Sequence, residues 1–161
     1  MPNGKKKGQN GQHDFLLNFI LVLGIIGIFL SLYLFKDHYN TQKSICDFGK
    51  RISCSIINKS SYSKILSVPV AIYGVTWMSV LVAFTWKIKT AENADVVYFI
   101  TAHFIWSISG LLFCLYLIYA EIMLGAICPL CTGVHIICFL ESYLAWRIFK
   151  QQKVFPNFMV S

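Results

Sequence analysis

The residues best able to do chemistry in this sequence are four cysteines in two pairs. Cys128 and Cys131 bracket Pro129 and Leu130 in "GAICPLCTGVH", and Cys46 and Cys54 enclose seven residues in "ICDFGKRISCS". The first spacing fits a redox dithiol, half of a metal site, or two small packing residues. Pro129 suits the first turn of a helix, where its missing N–H leaves no bond unmade. A cysteine at that position feels the positive end of the helix dipole, which favours the nucleophilic thiolate. Residues three apart on a helix are neighbours, so a disulfide between Cys128 and Cys131 is within reach.

Cys46 and Cys54 pose a different geometry. Eight residues of straight helix rise about 12 Å, whereas a disulfide needs its Cα atoms within about 7 Å. If this pair bonds, the segment folds back, and Gly49 is the natural bend. A structural staple for a long loop is the plain alternative. Taken together, the two pairs suggest a relay. A soluble thiol protein exchanges with the loop pair, the loop pair with the CxxC, and the CxxC passes electrons to an oxidant in the membrane, each exchange running through a mixed disulfide.

Such a relay needs a membrane, and the composition supplies one. The 161 residues are 57% hydrophobic and 13% charged, against about 45–50% and 25% in soluble domains. Phe15–Phe35 and Val68–Trp86 contain no charge, Val96–Ala120 carries only His103, and Ala126–Trp146 only His135 and Glu141. About 20 helical residues cross the hydrocarbon core, and unbroken apolar runs exclude the alternation of a β-barrel. The expected fold class is an all-α membrane protein, a four-transmembrane-helix bundle with a large extracytoplasmic loop between the first and second helices. Residues 15–150 form its one domain, with a disordered basic tail over 1–14 and a short C-terminal tail over 151–161. Lys5, Lys6 and Lys7 imitate the start of a signal peptide. The apolar stretch after them exceeds the usual 7 to about 15 residues, and no small-x-small site follows.

With four spans both termini share one side. Lys5, Lys6, Lys7, Lys87, Lys89, Arg147, Lys150 and Lys153 lie there, against Lys36, Lys43, Lys50, Arg51, Lys59 and Lys64 on the other. Eight against six favours cytosolic termini. The +7 net charge reads as membrane-facing cations rather than a nucleic-acid surface, because no basic stripe with interleaved aromatics is present. Cys46, Cys54, Cys128 and Cys131 then gather at the outer face, where the ER lumen or periplasm permits disulfide chemistry.

These motifs resemble the vitamin K epoxide reductase family. The resemblance runs from "LVLGIIGIFLSLYLF" through "ICDFGKRISCS" and "SSYSKILSVPVAIYG" to "LYLIYAEIMLGAICPLCTGVH". It implies four helices around a quinone pocket capped by the outer loop, with the quinone as substrate and no metal. It further implies that Cys131 reacts with the quinone or its epoxide, that Cys128 resolves the adduct, that Cys54 attacks Cys128, and that Cys46 takes electrons from a thioredoxin-like partner. Ser55 occupies the family's Cys-Ser position. Two departures stand out. Val70 lies where many relatives have an asparagine that bonds a quinone oxygen, and His135 lies where the animal enzymes have tyrosine. His135 shares the helix face of Cys131, so it could supply the missing donor.

The substrate contacts expected on this reading are His135, Val70, Tyr73 and Ser55, with Trp77, Trp106 and Phe104 as further aromatic candidates. His103 and Cys114 read as packing residues, and Cys138, two turns beyond Cys131 on the same face, lies too deep for thiol exchange. Glu141 reads as a functional candidate or the partner of a snorkelling cation. The resemblance supports vitamin K reduction or quinone-driven disulfide formation for secreted proteins. Outside that class stand a zinc site, disfavoured by the Cys-x7-Cys spacing, and a non-catalytic tetraspan protein. The "CDFGKRISCS" loop is closer to the animal proteins, which favours the ER membrane over a prokaryotic plasma membrane.

Overall fold

The computed structural model describes residues 3–90 and 94–154. Helix α1 (Asn3–Tyr39) leads into a connection holding the short helix α2 (Cys54–Asn58), a 3₁₀ turn (Ser61–Ser63) and a hairpin of β1 (Lys64–Ile65) and β2 (Val68–Pro69). Helices α3 (Val70–Thr90), α4 (Ala94–Leu124) and α5 (Pro129–Val154) follow. The segments His13–Tyr39, Val70–Thr90, Asp95–Leu124 and Pro129–Gln151 are long and apolar enough to cross a bilayer. The expected all-α architecture with four spans is therefore present.

Each span runs past the apolar block that announced it. Hydropathy registers only the part in hydrocarbon, whereas helical hydrogen bonding continues into the interface, where Lys87 and Lys89 extend α3. The N-terminal boundary differs for a related reason. Helix α1 begins at Asn3, so residues 3–14, expected as a disordered tail, continue the first helix. Residues 151–154 likewise continue α5. The remainder of both expected tails, and 91–93 in the connection between α3 and α4, lie outside the described residues.

The helices form a ring in which α1 packs on α3 and α5, and α4 on α3 and α5. Small residues permit close approach, as membrane helices require in the absence of a hydrophobic drive between them. A Cβ on Gly74 of α3 would lie 2.9 Å from Ser31 Oγ of α1, and one on Gly110 of α4 would meet the Trp77 ring of α3. The outer surface carries Phe29, Ile105, Leu112, Ile122 and Tyr143, all exposed. In water this would be an extended apolar patch; in lipid it is the expected contact surface.

One half of the interior is closed by Leu17, Ile20, Ile88, Ile100, Leu144 and Ile148. The other half holds the cysteines, with Leu34, Ile57, Ala71 and Ala126 around them. At that end α4 stops at Gly125, whose φ of +60° is the left-handed conformation that commonly ends helices. The connection lies across the same end. Asn58 Nδ2 donates to the Leu34 carbonyl at 2.7 Å and to Asp37 Oδ2 at 3.3 Å, while α2 packs on α1, α4 and α5.

Candidate functional site

The loop pair is built around Asp47. Its Oδ1 accepts from Ser53 Oγ at 2.7 Å and from the Ser55 N–H at 3.0 Å. Its Oδ2 accepts from Ser55 Oγ at 2.5 Å and from the Ser44 N–H at 3.0 Å. Desolvation alone would raise this carboxyl, but the bonds from Ser55, Ser53 and Ser44 outweigh it and hold Asp47 far below the usual carboxylate range. Ser53 also caps α2 by accepting the Ile56 N–H at 3.2 Å. Between the cysteines Gly49 takes a φ of +156°, so the bend falls where the sequence placed it. Cys46 and Cys54 are disulfide-bonded, with Cα atoms 5.6 Å apart.

The CxxC begins α5. Cys128 precedes Pro129, the first helical residue, and its Sγ accepts the Cys131 N–H at 3.1 Å, as an N-cap side chain does. Cys128 and Cys131 are disulfide-bonded, with Cα atoms 5.2 Å apart. The Cys128 N–H donates to Glu121 Oε1 at 3.2 Å, so a carboxylate from the end of α4 fixes the start of the motif.

A backbone bridge joins the pairs. Ile52 and Ile127 form a parallel bridge; the Ser53 N–H donates to the Ile127 carbonyl at 3.0 Å, and the Ile127 N–H to the Arg51 carbonyl at 2.8 Å. Each partner directly or nearly precedes a cysteine, and Cys54 and Cys128 are fully buried in one cluster with Cys46 and Cys131. The strap therefore holds the loop pair over the CxxC.

Beneath it lies a cavity of about 810 Å³, including the part open to the outside, within the range of small-molecule sites. Its wall brings together Cys131, His135 and Val70 from the expected set, together with Trp77. His135 is buried, and its Nε2 has no hydrogen-bond partner among the described residues. Tyr73 and Ser55, expected as substrate contacts, do not line the cavity. The Tyr73 hydroxyl donates to the Ile65 carbonyl of the hairpin at 3.3 Å, and Ser55 is committed to Asp47. Phe104 stacks on Phe149, and the Trp106 indole donates to the Trp77 carbonyl at 3.2 Å; neither lines the cavity.

Sequence reasoning missed Asn58 and Glu121, both on the cavity wall. Asn58 lies four residues beyond Cys54 with no motif to mark it. For Glu121 a usable signal was present, a lone carboxylate in "YAEIMLG" at the end of an apolar block. His103 has a partner, its Nε2 lying 3.3 Å from Thr85 Oγ1. Glu141 is fully buried, and its carboxylate oxygens have no hydrogen-bond partner among the described residues.

The chain matches the vitamin K epoxide reductase family over residues 18–146. That stretch reaches from within the first span to within the fourth, and takes in the loop pair and the CxxC. No curated protein matches it closely enough to count as a relative. The chain belongs to the vitamin K epoxide reductase family.

Proposed function

From that membership, which points to a membrane thiol–quinone oxidoreductase, we propose that this protein reduces vitamin K-type quinones or their epoxide at Cys131. The observation that carries the reading is the cavity between the helices, with Cys131 on its wall and Cys128 held behind it at the helix start. A quinone is flat, apolar and lipid-soluble, and the cavity offers apolar walls and few polar groups.

In the reduced state the Cys131 thiolate adds to a quinone ring carbon. Cys128 then attacks Cys131; an S–S bond forms, the S–C bond breaks, and hydroquinone leaves with two electrons and two protons. His135 Nε2 donates to a quinone oxygen, the role that Val70 cannot fill. Regeneration starts when the Cys54 thiolate attacks Cys128 and frees Cys131. Cys46 resolves that mixed disulfide, and the resulting Cys46–Cys54 disulfide is reduced by a separate thioredoxin-like dithiol. The connection between α1 and α3 then faces the oxidising compartment, which we assign to the ER lumen.

The test is quinone reduction by purified protein driven by dithiothreitol. Cys131→Ala is expected to abolish turnover. Cys46→Ala is expected to retain part of it with dithiothreitol and to lose it with a thioredoxin-like reductant, because a small thiol bypasses the loop. Wild-type rates in Cys131→Ala would make the CxxC structural and overturn the mechanism.

A further inference from the structure

A carboxylate stands where the dithiol meets the cavity, and the mechanism above gives it no chemical task. Glu121, in the last turn of α4, lies on the cavity wall with Cys131 and His135. Its Oε1 accepts the N–H of Cys128, the resolving cysteine, at 3.2 Å, which leaves Oε2 to hold a proton. An ionisable side chain within an apolar span is costly and asks for a use. A structural use exists, because the carboxylate meets the positive end of the α5 dipole. That use needs an acceptor oxygen but no exchangeable proton.

The chemistry does need a proton acceptor. Cys128 is fully buried, and its thiol must lose a proton before the sulfur can attack Cys131. Glu121 is the only carboxylate on the cavity wall among the described residues. The other titratable groups there are Tyr62, Cys114, Cys131, His135 and Cys138. A phenol or a thiol is itself protonated at neutral pH, Cys131 is the sulfur under attack, and His135 is engaged with the quinone oxygen. Asp47 of the loop pair is committed to four donors.

We propose that Glu121 is the proton acceptor of the dithiol; the inference rests on the quinone reading above. Once the Cys131–quinone adduct has formed, the Glu121 carboxylate takes the Cys128 thiol proton as that sulfur attacks Cys131. An S–S bond forms, the S–C bond breaks, and the ring keeps the electron pair. Glu121 then gives the proton to an oxygen of the departing hydroquinone. The second hydroquinone proton comes from solvent, which took one from Cys131 when its thiolate formed. Two thiols and one quinone give one disulfide and one hydroquinone, and the carboxylate ends as it began.

The experiment follows the first turnover of the reduced full chain, freed of reductant, with 2,3-dimethyl-1,4-naphthoquinone in detergent micelles without oxygen. Glu121→Gln keeps an oxygen for the Cys128 N–H but cannot carry the proton. Hydroquinone should appear about a hundredfold more slowly at pH 7, with the midpoint of thermal unfolding unchanged. The deficit should shrink as the pH rises and hydroxide replaces the carboxylate. Wild-type rates in Glu121→Gln overturn the proposal, even where Glu121→Ala is slow, because that pattern belongs to an anchor. A deficit equal at every pH also overturns it, since hydroxide does not repair lost positioning. Should the Gln variant fail to fold, infrared difference spectra of the wild-type turnover decide: a transient carboxylic acid band supports the transfer, and its absence overturns it. Wild type and Cys131→Ala run alongside keep the two readings apart. No hydroquinone from wild type sinks the quinone reading and this inference with it, whereas wild-type turnover matched by Glu121→Gln sinks this inference alone.

Discussion

Asp47 organises the loop pair, because its two carboxylate oxygens collect four donors from Ser44, Ser53 and Ser55. Its carboxyl is held below its unfolded value of about 3.9, so the sign is fixed. The stabilisation is complete above that value and is lost as the pH falls through the folded one. Limited proteolysis between Asn40 and Asn58 should therefore accelerate as the pH is lowered below about 4, and Asp47→Ala should cut readily even at pH 7. A charge-assisted hydrogen bond contributes about 1.5–3 kcal/mol when sheltered, and partial exposure discounts that. A roughly tenfold increase in cleavage rate is the expected size, and an unchanged rate would show that the strap at Ile52 and Ile127 suffices alone. Beside this hub, Ile45 and Phe48 are 73% and 77% exposed while Cys46 is 5% exposed. On the proposed relay an incoming dithiol protein has to move the loop to reach Cys46, and those two side chains are the apolar surface exposed beside it. Phe48→Asp should slow turnover with a protein reductant several-fold and leave the dithiothreitol rate unchanged, a split that steady-state rates with the two reductants will read. Residue types and spacing gave away both cysteine pairs and the bend at Gly49. They could not reveal that Asn58 and Glu121 reach the cavity wall, because that depends on how the connection and α4 are set against the other helices.

Helix α3 shows how one element sets the cavity. Trp77 donates through Nε1 to the Trp106 carbonyl and Ser109 Oγ of α4, both at 3.2 Å, and its own carbonyl accepts Trp106 Nε1 at 3.2 Å. The ring lies against Gly110, where a Cβ would overlap it, and its other side forms cavity wall. Gly110→Val should push Trp77 into the cavity. The expected cost is about 1–3 kcal/mol for overpacking, read as a lower midpoint of thermal unfolding in detergent, with quinone turnover reduced by a raised KM. A variant of wild-type stability and KM would show that α3 and α4 separate freely at this level. The spans themselves were legible because hydrocarbon demands unbroken apolar runs. The direction of Tyr73 was not legible, because hydropathy gives the face of a helix in lipid but not its rotation against a neighbour. It points to the hairpin carbonyl of Ile65 rather than into the cavity.

At the scale of the whole molecule, the bundle separates two kinds of access. On the proposed mechanism the cavity takes an apolar quinone, while the loop pair, held at the end formed by Tyr39, Val70, Leu124 and Pro129, exchanges with a soluble dithiol protein. The proposed mechanism requires that end to face a compartment where disulfides persist, and assigns the opposite end, with Lys87, Lys89, Arg147 and Lys150, to the cytosol by the excess of cations near it. Cysteine labelling tests that orientation directly. In sealed ER vesicles carrying the protein with Lys87→Cys, an impermeant maleimide added outside should label that position at once. After mild reduction, Cys46 and Cys54 should be labelled only once the vesicles are opened. The reverse pattern would put the relay in a reducing compartment. A thioredoxin-like donor would then come from the cytosol, and the protein would serve quinone reduction there rather than any chemistry coupled to secreted disulfides.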